Sequence, residues 1–239
     1  MKGVKSYSYS SEQTIEETII NNATTINNKK VKLYIEKAVK RVIDIIAGLV
    51  GTILLIPITI GIYIARKILK EDDGPIFYDQ LRIGKGGKYF KLYKYRSMVI
   101  GADEILKEYL AENEEAREEY SKYKKLKKDP RITKLGNFLR KTSLDEFPQF
   151  INVLKGDMSL VGPRPYLPRE KEDMSEYYKY IIQCKPGITG YWQTSGRSDV
   201  TFDDRLKMDY DYYQKKSSKM DFKLLIKTIL NVVKKEGAI

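Results

Sequence analysis

The chain has 239 residues, enough for one well-packed domain, and it is strongly basic. Its 44 Lys and Arg residues against 32 Asp and Glu residues give a net charge of +12, which indicates an anionic partner: acidic lipid, nucleic acid or a phosphorylated substrate. The sequence has no histidine and a single cysteine, Cys184, which excludes imidazole chemistry, an intrachain disulfide and a cysteine-bound zinc ion. Any chemistry must therefore come from carboxylates, hydroxyl groups, Lys, Arg or a hard metal ion.

The first 30 residues are polar, and an apolar segment follows them. Residues 1–30 are rich in Ser, Thr, Asn and Glu, which predicts a flexible tail, and a helical pattern begins near Val31. The 21 residues from Ile45 to Ala65 carry no charge and as a helix would reach about 30 Å, enough to cross a hydrocarbon core. A buried helix of a soluble protein seldom stays uncharged for so long, and a cleaved signal peptide would start earlier. We therefore expect membrane insertion.

The residues on either side of this segment do not decide whether it crosses the membrane or returns to the same face. Basic residues lie on both sides, at Lys40 and Arg41 before it and at Arg66 and Lys67 after it, so both ends favour the cytoplasm. Pro57 lies just past the middle, where it removes a backbone donor and favours a break in the helix. A hairpin that enters and leaves by the same face satisfies both signals, whereas an ordinary kinked transmembrane helix is the alternative.

Several further elements follow in chain order. The residues from Pro75 to Tyr95 predict a β-hairpin around Gly84-Lys85-Gly86-Gly87, a glycine cluster that lacks the spacing of a nucleotide-binding P-loop. The charge pattern predicts one long helix over 102–128, stopped by Asp129-Pro130. Shorter helices are expected near 132–139 and 177–182. The apolar stripe over 221–235, flanked by lysines, predicts a helix that faces a core or a membrane surface.

The strongest candidates for catalytic residues are an arginine and the acidic pair that follows it, Arg140 and then Asp145-Glu146. A structural interpretation is a helix start, since Ser143 and Glu146 match a capping box. Pro148 would then be the fifth helical residue, which is too deep for a missing backbone donor. The capping interpretation therefore competes with a catalytic one.

An aspartate is ionised at neutral pH and can attack phosphorus without a general base, which matters in a chain that has no histidine. Because a carboxylate and a diphosphate repel each other, the approach needs cations, either Mg²⁺ or basic side chains. The candidates are Lys94, Arg96, Arg140 and Arg164, the last held between two prolines. Each of them alone is more commonly an ordinary surface charge.

Taken together, the segments Lys94–Met98, Leu139–Gln149, Asn152–Pro165 and Pro186–Gln193 resemble the bacterial sugar transferases, the monotopic phosphoglycosyl transferase family. The resemblance runs from about Val39 to the C-terminus. It implies an α+β, mainly helical monotopic membrane protein with a re-entrant membrane helix-hairpin that breaks at Pro57, amphipathic surface helices and a small β-hairpin. The expected parts are a flexible tail at 1–30, the re-entrant helix at 31–70 and a cytoplasmic catalytic domain at 71–239.

The resemblance also implies an activity and a set of site residues. Members of that family transfer a sugar 1-phosphate from a UDP-sugar to polyprenyl (undecaprenyl) phosphate at the cytoplasmic face of the inner membrane and release UMP. Asp145 would be the nucleophile that forms an aspartyl-phosphosugar intermediate, and Glu146 would bind Mg²⁺ with Asp145 or assist the acceptor step. The remaining site residues are phosphate-binding Lys94, Arg140 and Arg164, with Arg96 and Asp157 as supporting candidates.

Within the family, Gly196-Arg197-Ser198-Asp199 and the C-terminal residues up to Ile239 resemble the transferases that start capsule or exopolysaccharide repeats. Two rival interpretations do not involve catalysis. The charge of +12 and 19 tyrosines would suit a membrane-tethered module that binds nucleic acid or lipid, but the lysines are dispersed. A scaffold with an inactive site would be expected to lack the acidic pair, which is present here. We therefore expect no nucleic-acid partner.

Overall fold

The computed structural model describes residues 7–71, 74–195 and 200–234, and these are mainly helical with two small two-stranded sheets. The first half of the chain forms α1 Tyr7–Leu69, β1 Phe77–Ile83, β2 Tyr89–Tyr95, α2 Ala102–Glu112 and α3 Glu114–Tyr123. The second half forms α4 Lys134–Lys141, α5 Gln149–Lys155, β3 Ser159–Val161, α6 Tyr178–Ile181, β4 Gly187–Thr189, α7 Tyr191–Ser195, α8 Phe202–Lys215 and α9 Ser218–Lys234. The mainly helical fold class with a small β-hairpin is thus confirmed.

Helix α1 is longer than the sequence predicted and belongs to two compact units. It begins at Tyr7, ahead of the expected start at Val31, and the sequence from residue 4 to residue 47 contains neither Gly nor Pro to interrupt it. The first unit is Met1–Ile43, and the second is Asp44–Ile239. The last part of α1, residues 44–69, therefore belongs to the same unit as the β-hairpin and the acidic pair.

Within this second unit, residues 44–69 pack against other elements along their whole length. At the start, the buried Asp44 carboxylate accepts hydrogen bonds from Ser159 Oγ at 3.0 Å and from Leu160 N at 2.9 Å. Just after α1, Glu71 accepts one from Leu135 N at 2.7 Å. Gly51 permits a close approach of α5, because a Cβ there would lie 2.2 Å from a ring atom of Phe150. Both ends of the apolar segment are thus bonded to one compact unit.

Pro57 lies inside continuous helix, so the predicted break at this residue is not confirmed. The Tyr95 side chain lies beside this part of the helix and is 1% exposed. Its hydroxyl donates to Leu55 O at 3.3 Å and accepts from Thr59 Oγ1 at 2.7 Å. One strand residue therefore bonds the helix on both sides of the proline, and the polar groups near the weakened turn find partners.

The opposite face of residues 44–69 is apolar and uncovered. Only 22% of the most apolar window of α1 is buried, so the segment is not the core helix of a soluble protein. Large exposed side chains run along this face, and they are Ile45, Ile46, Leu49, Val50, Ile53, Leu54, Ile56, Ile60, Tyr63 and Ile64. Over the described residues, the stretch Lys30–Leu69 is long and apolar enough to cross a membrane, by length and composition.

The predicted β-hairpin is confirmed, with antiparallel strands β1 and β2 paired from Phe77↔Tyr95 to Ile83↔Tyr89. The glycine cluster forms the turn, where Gly86 and Gly87 have positive φ angles of 70° and 76° that suit glycine. The fully buried Asn152 of α5 fastens β2 from the side. Its Oδ1 accepts from Tyr93 N at 3.0 Å, and its Nδ2 donates to Lys91 O at 2.7 Å.

The single long helix predicted over 102–128 is wrong in two respects. It is divided at Asn113, whose extended backbone ends α2 and whose side chain accepts from Ala116 N at 2.9 Å to cap α3. It also ends early, since Lys124 has a φ of 52° and the basic run after it is not helical. A cluster formed by Leu106, Ala116 and Leu126 packs α2 and α3 together, and this tertiary contact outweighs the continuous charge pattern.

The remaining elements surround the parallel pair of β3 and β4, in which Ser159 pairs with Gly187 and Val161 with Thr189. The helices expected near 132–139, 177–182 and 221–235 are present as α4, α6 and α9. On α9 the buried Leu224 faces the core, whereas an apolar stripe with Phe222 and Ile229 is exposed. Helix α8 had no clear pattern in the sequence, because polar residues such as Arg205 and Asp209 are buried on its inner face.

We predict that Asp44→Ala destabilises the protein by about 2–4 kcal/mol, because two hydrogen bonds to a charged acceptor are lost and the buried Ser159 Oγ and the partly buried Leu160 N lose their partner. Thermal unfolding of the full chain in detergent would measure the change. The control is Glu108→Ala on the exposed face of α2, which should change stability by less than about 0.5 kcal/mol. Equal unfolding temperatures for the two variants would contradict the anchoring role.

Candidate active site

The acidic pair lies in a short 3-10 turn, Leu144–Glu146, between α4 and α5. The residue before it, Ser143, has a φ of 57°, a left-handed conformation that costs a non-glycine residue roughly 1 kcal/mol. The Ser143 side chain makes no capping hydrogen bond, so the capping-box interpretation is wrong. The next helix, α5, begins after Pro148. The tight turn therefore places the two acids just before the start of α5.

Asp145 is buried, with 8% of its surface exposed. Burial raises the pKa of its carboxyl group to about 6, although the positive charge of Lys94 opposes this rise; Glu146 adds to it, and Arg140 again opposes it. At pH 7 most of the Asp145 population is therefore ionised, but the charge is weakly solvated. A desolvated carboxylate of this kind is more reactive toward an electrophile than one in water.

Glu146 has the opposite environment. Its Oε1 accepts a hydrogen bond from Lys94 Nζ at 2.9 Å, and its side chain is 40% exposed. Burial would raise its pKa, but Lys94 together with the charges of Arg164 and Arg82 outweighs burial and lowers it. Two adjacent carboxylates thus titrate apart, the first near neutrality and the second at lower pH. Such a separation is typical of groups with different roles in a reaction.

Arg140 is held beside Asp145 by the way α4 crosses the end of β2. Gly136 permits the crossing, since a Cβ there would lie 1.9 Å from Ser97 O. One turn later, Arg140 Nε donates to Ser97 Oγ at 2.9 Å. The guanidinium group therefore has a defined position from which it lowers the pKa of Asp145.

Arg164 lies in the turn Pro163–Pro165 and is half-buried. Its Cζ lies 5.8 Å from the centre of the Trp192 ring, and its charge lowers the pKa of Glu146. The charges of Lys94, Arg140 and Arg164 thus act on the same acidic pair, and a phosphate-binding role for the three stays a prediction.

Arg82 is a buried cation that acts on the acidic pair and that the sequence analysis did not single out. It is 7% exposed, its Nη1 donates to Pro165 O at 2.7 Å, and its Nη2 contacts Gln80 Oε1. Burial and the nearby charge of Arg164 lower its pKa to about 9, and it acts in turn on Glu146. Arg82 lies inside the predicted hairpin, one residue before the end of β1. In β1 the apolar Leu81 is exposed and Arg82 is buried, which reverses the usual alternation, so no local signal in the sequence marked this arginine.

The same motifs match a known family. A family model described as bacterial sugar transferase matches residues 35–235. The chain belongs to the bacterial sugar transferase family. It is 47% identical over 199 residues to the undecaprenyl-phosphate galactose phosphotransferase of Salmonella typhimurium, an alignment that covers 83% of this chain and 41% of that protein.

Two further relatives of the family differ in how much of their length the chain matches. The exopolysaccharide production protein ExoY of Rhizobium meliloti is 40% identical over 199 residues, covering 83% of this chain and 87% of ExoY. The UDP-glucose:undecaprenyl-phosphate glucose-1-phosphate transferase of Escherichia coli is 35% identical over 203 residues, covering 82% of this chain and 40% of that protein. The chain thus spans about two fifths of the Salmonella and Escherichia relatives.

The structure gives less support to Arg96 and Asp157, the two supporting candidates for the site. Arg96 follows Lys94 by two residues, and its backbone N donates to Ile76 O at 2.8 Å; a role for its side chain stays a prediction. Asp157 contacts Lys155 at 3.8 Å and Asn152 at 3.4 Å, so these contacts organise the end of α5 rather than the acidic pair. The sequence Gly196–Asp199 lies outside the described residues, as does the C-terminal end at Ile239.

We predict that Asp145→Asn stabilises the folded protein at high pH. Ionised Asp145 costs stability because its folded pKa of about 6 exceeds the unfolded value, so the cost develops as the pH rises from about 4 to 6 and is then constant. Removing it should raise the free energy of unfolding by about 1–3 kcal/mol at pH 8 and by little at pH 4.

Unfolding of the wild-type chain and the variant at both pH values would measure this difference. The control is Asp79→Asn on the exposed hairpin strand, where the carboxylate pairs with Lys91 at 3.2 Å in solvent. The same stabilisation by Asp145→Asn at pH 4 and pH 8 would show that burial of the charge is not the cause.

Proposed function

We propose that the chain transfers a hexose 1-phosphate from a UDP-sugar to polyprenyl (undecaprenyl) phosphate and releases UMP, as the first membrane step of exopolysaccharide, capsule or glycan assembly. The observation that carries this proposal is the buried Asp145, with a pKa of about 6, among cations suited to phosphate groups. The relatives named for transfer of galactose or glucose phosphate to undecaprenyl phosphate support it.

In the proposed first step, a carboxylate oxygen of Asp145 attacks the sugar-linked phosphorus. A phosphorus–oxygen bond to Asp145 forms, and the bond from that phosphorus to the bridging oxygen breaks. The electron pair stays with the bridging oxygen, so the leaving UMP carries one more negative charge than it did within the diphosphate, and no proton transfer is needed. In the second step the phosphate of the polyprenyl carrier attacks the same phosphorus and frees Asp145.

The basic side chains have separate tasks in this scheme. Lys94 and Arg140 act on Asp145 and would neutralise the phosphoryl group that it attacks. Arg164 and Arg82 act on Glu146 and would balance the charge that develops on the leaving UMP. Since each of these cations is held by contacts to the fold or to the acidic pair, little reorganisation is needed when the substrate binds.

Mg²⁺ fits the acidic pair as part of the proposal. The described residues hold no cluster of three or more acidic, His or Cys ligands, but Mg²⁺ is usually held by one or two carboxylates together with substrate phosphates. Glu146 and Asp145 would supply those carboxylates. When bound there, the ion would neutralise charge on the diphosphate.

The proposed place of the enzyme is the cytoplasmic face of the inner membrane. The apolar face of residues 44–69 would lie in lipid, while Asp44 and Glu71, at the two ends of that segment, both bond to one compact unit. Because the compact unit packs along this helix from one end to the other, a helix that crossed the bilayer would draw polar parts of that unit into hydrocarbon. We therefore favour a segment that enters and leaves by the same face, and a break at Pro57 stays a prediction.

We predict that Asp145→Asn lowers UMP release from a UDP-sugar by at least about 10³-fold, because an amide is not a nucleophile. In the wild-type chain kcat/KM, which reports the free enzyme, should rise with pH around a midpoint near 6 and fall roughly tenfold at pH 5, as the carboxylate becomes protonated. The assay is UMP release over a panel of UDP-sugars with undecaprenyl phosphate present. Asp79→Asn is the matched control and should keep normal rates, whereas near-normal release by Asp145→Asn would refute the covalent mechanism.

For the membrane arrangement, we predict that cysteines introduced at Ile35 and Lys70, after Cys184→Ala, lie on the same side of the membrane. An impermeant maleimide should label neither site in intact cells and both in opened cells, because basic residues flank the segment on both sides. A permeant maleimide, which should label both sites in intact cells, is the control for reactivity. Labelling of only one site in intact cells would instead show that the segment crosses the membrane as an ordinary transmembrane helix.

A further inference from the structure

The Pro163–Pro165 turn has a single backbone donor. Proline has no N–H, so of the three residues only Arg164 can donate from its backbone. That N–H donates to Oδ2 of Asp209 at 3.0 Å. The orientation of the arginine backbone therefore depends on one side chain from α8, about 45 residues further along the chain.

Asp209 is fully buried, and its side-chain hydrogen bonds go to this turn. The same Oδ2 accepts from the Tyr166 hydroxyl at 2.8 Å, so one oxygen atom holds the residues on both sides of Pro165. Burial raises the pKa of Asp209 to about 7, although the bonds from Tyr166 and Arg164 oppose the rise. A buried carboxylate is costly for a helix that only needs to pack, which indicates that its bonds to the turn have a purpose.

The previous turn of α8 carries Arg205, which packs on the same aromatic ring as Arg164. Arg205 lies four residues before Asp209 and is 3% exposed, and its Cζ lies 4.8 Å from the centre of the Trp192 ring. The Arg164 guanidinium approaches the same ring at 5.8 Å. Of these two turns of α8, Asp209 bonds the backbone of Arg164, whereas Arg205 shares the Trp192 ring with Arg164 and repels its charge.

The flanks of the turn are held by other groups. Gly187 N donates to Pro163 O at 2.8 Å, and Arg82 Nη1 donates to Pro165 O at 2.7 Å. These bonds fix the two prolines, whereas Asp209 bonds the arginine itself. The charge of Arg164 then reaches Glu146, whose pKa it lowers.

We propose that Asp209 is a positioning residue that holds Arg164 toward a phosphate group of the sugar nucleotide. The inference rests on the proposed function and deepens it. Asp209 does not touch the substrate: it accepts the one N–H of the turn and so limits the directions in which the Arg164 side chain can leave the backbone. The ligand recognised through this arrangement is a nucleoside phosphate. A change at Asp209 should therefore weaken binding of the phosphate group and not binding of the nucleoside.

The test compares binding of UMP and of uridine to the full chain in detergent by calorimetry. Asp209→Ala should weaken UMP binding roughly tenfold, the loss expected when one charge-assisted contact is misplaced, and leave uridine binding within about twofold. Asp209→Asn should restore UMP binding to within about threefold, because its amide oxygen can accept the same hydrogen bonds. Asp211→Ala is the control on the same helix, where Asp211 pairs with Lys215 at 3.4 Å near the surface.

A double-mutant cycle separates positioning from general support of the fold. If Asp209 acts through Arg164, then Asp209→Ala should weaken UMP binding by no more than about twofold once Arg164→Ala is present. Arg164→Ala alone should weaken UMP binding while the protein stays folded. An equal loss in both backgrounds, an equal loss for uridine, or unchanged UMP binding by Asp209→Ala would each overturn the inference.

A variant that does not fold and a failure of the proposed function each give a different result. If Asp209→Ala does not fold, Asp209→Leu keeps the branched shape of the side chain without the acceptor and is judged by the same criteria. Failure of the unmutated chain both to bind UMP and to release it from UDP-sugars would contradict the proposed function, and the inference with it. Normal UMP binding and release by wild type, together with unaltered UMP binding by the alanine or leucine variant, would contradict the inference alone.

Discussion

The ion pair between Lys94 and Glu146, 2.9 Å long, is the contact on which the candidate site depends. It joins strand β2 to the acidic turn and separates the titration of two adjacent carboxylates. Because Lys94 neutralises Glu146, Asp145 can be buried next to it with a pKa that still leaves it ionised at neutral pH. Without this cation, two neighbouring acids in a partly buried turn would repel each other and favour protonation.

The elements around this pair hold its members in place by contacts distant in sequence. Tyr95, the neighbour of Lys94, bonds the apolar helix on both sides of Pro57, and Asn152 fastens the same strand to α5. Gly136 lets α4 cross Ser97 so that Arg140 can bond its hydroxyl. The apolar helix is therefore part of the framework of the site. A substitution that displaces that helix should also displace Lys94, because the buried side chain of the adjacent Tyr95 packs against the helix.

The same arrangement suits a reaction between a soluble nucleotide and a lipid-borne phosphate. The uncovered apolar face of residues 44–69 and the cations that act on Asp145 belong to one compact unit. Under the proposed function, lipid would cover the apolar face while the phosphate groups meet the cations. The site then needs two sets of basic residues, one for the phosphoryl group under attack and one for the departing UMP, because charge develops at two places along the reaction path.

The sequence by itself determined the elements whose signals are local. An uncharged run marked the apolar segment, alternating aromatic residues and glycines marked the hairpin, and closely spaced motifs marked Asp145, Arg140 and Arg164. Only the tertiary structure decided the roles of Arg82, Asp44 and Asp209, since each bonds a partner more than 40 residues away. It also decided the division at Asn113 and the conformation of Ser143. These depend on packing between elements, which local propensity and spacing do not contain.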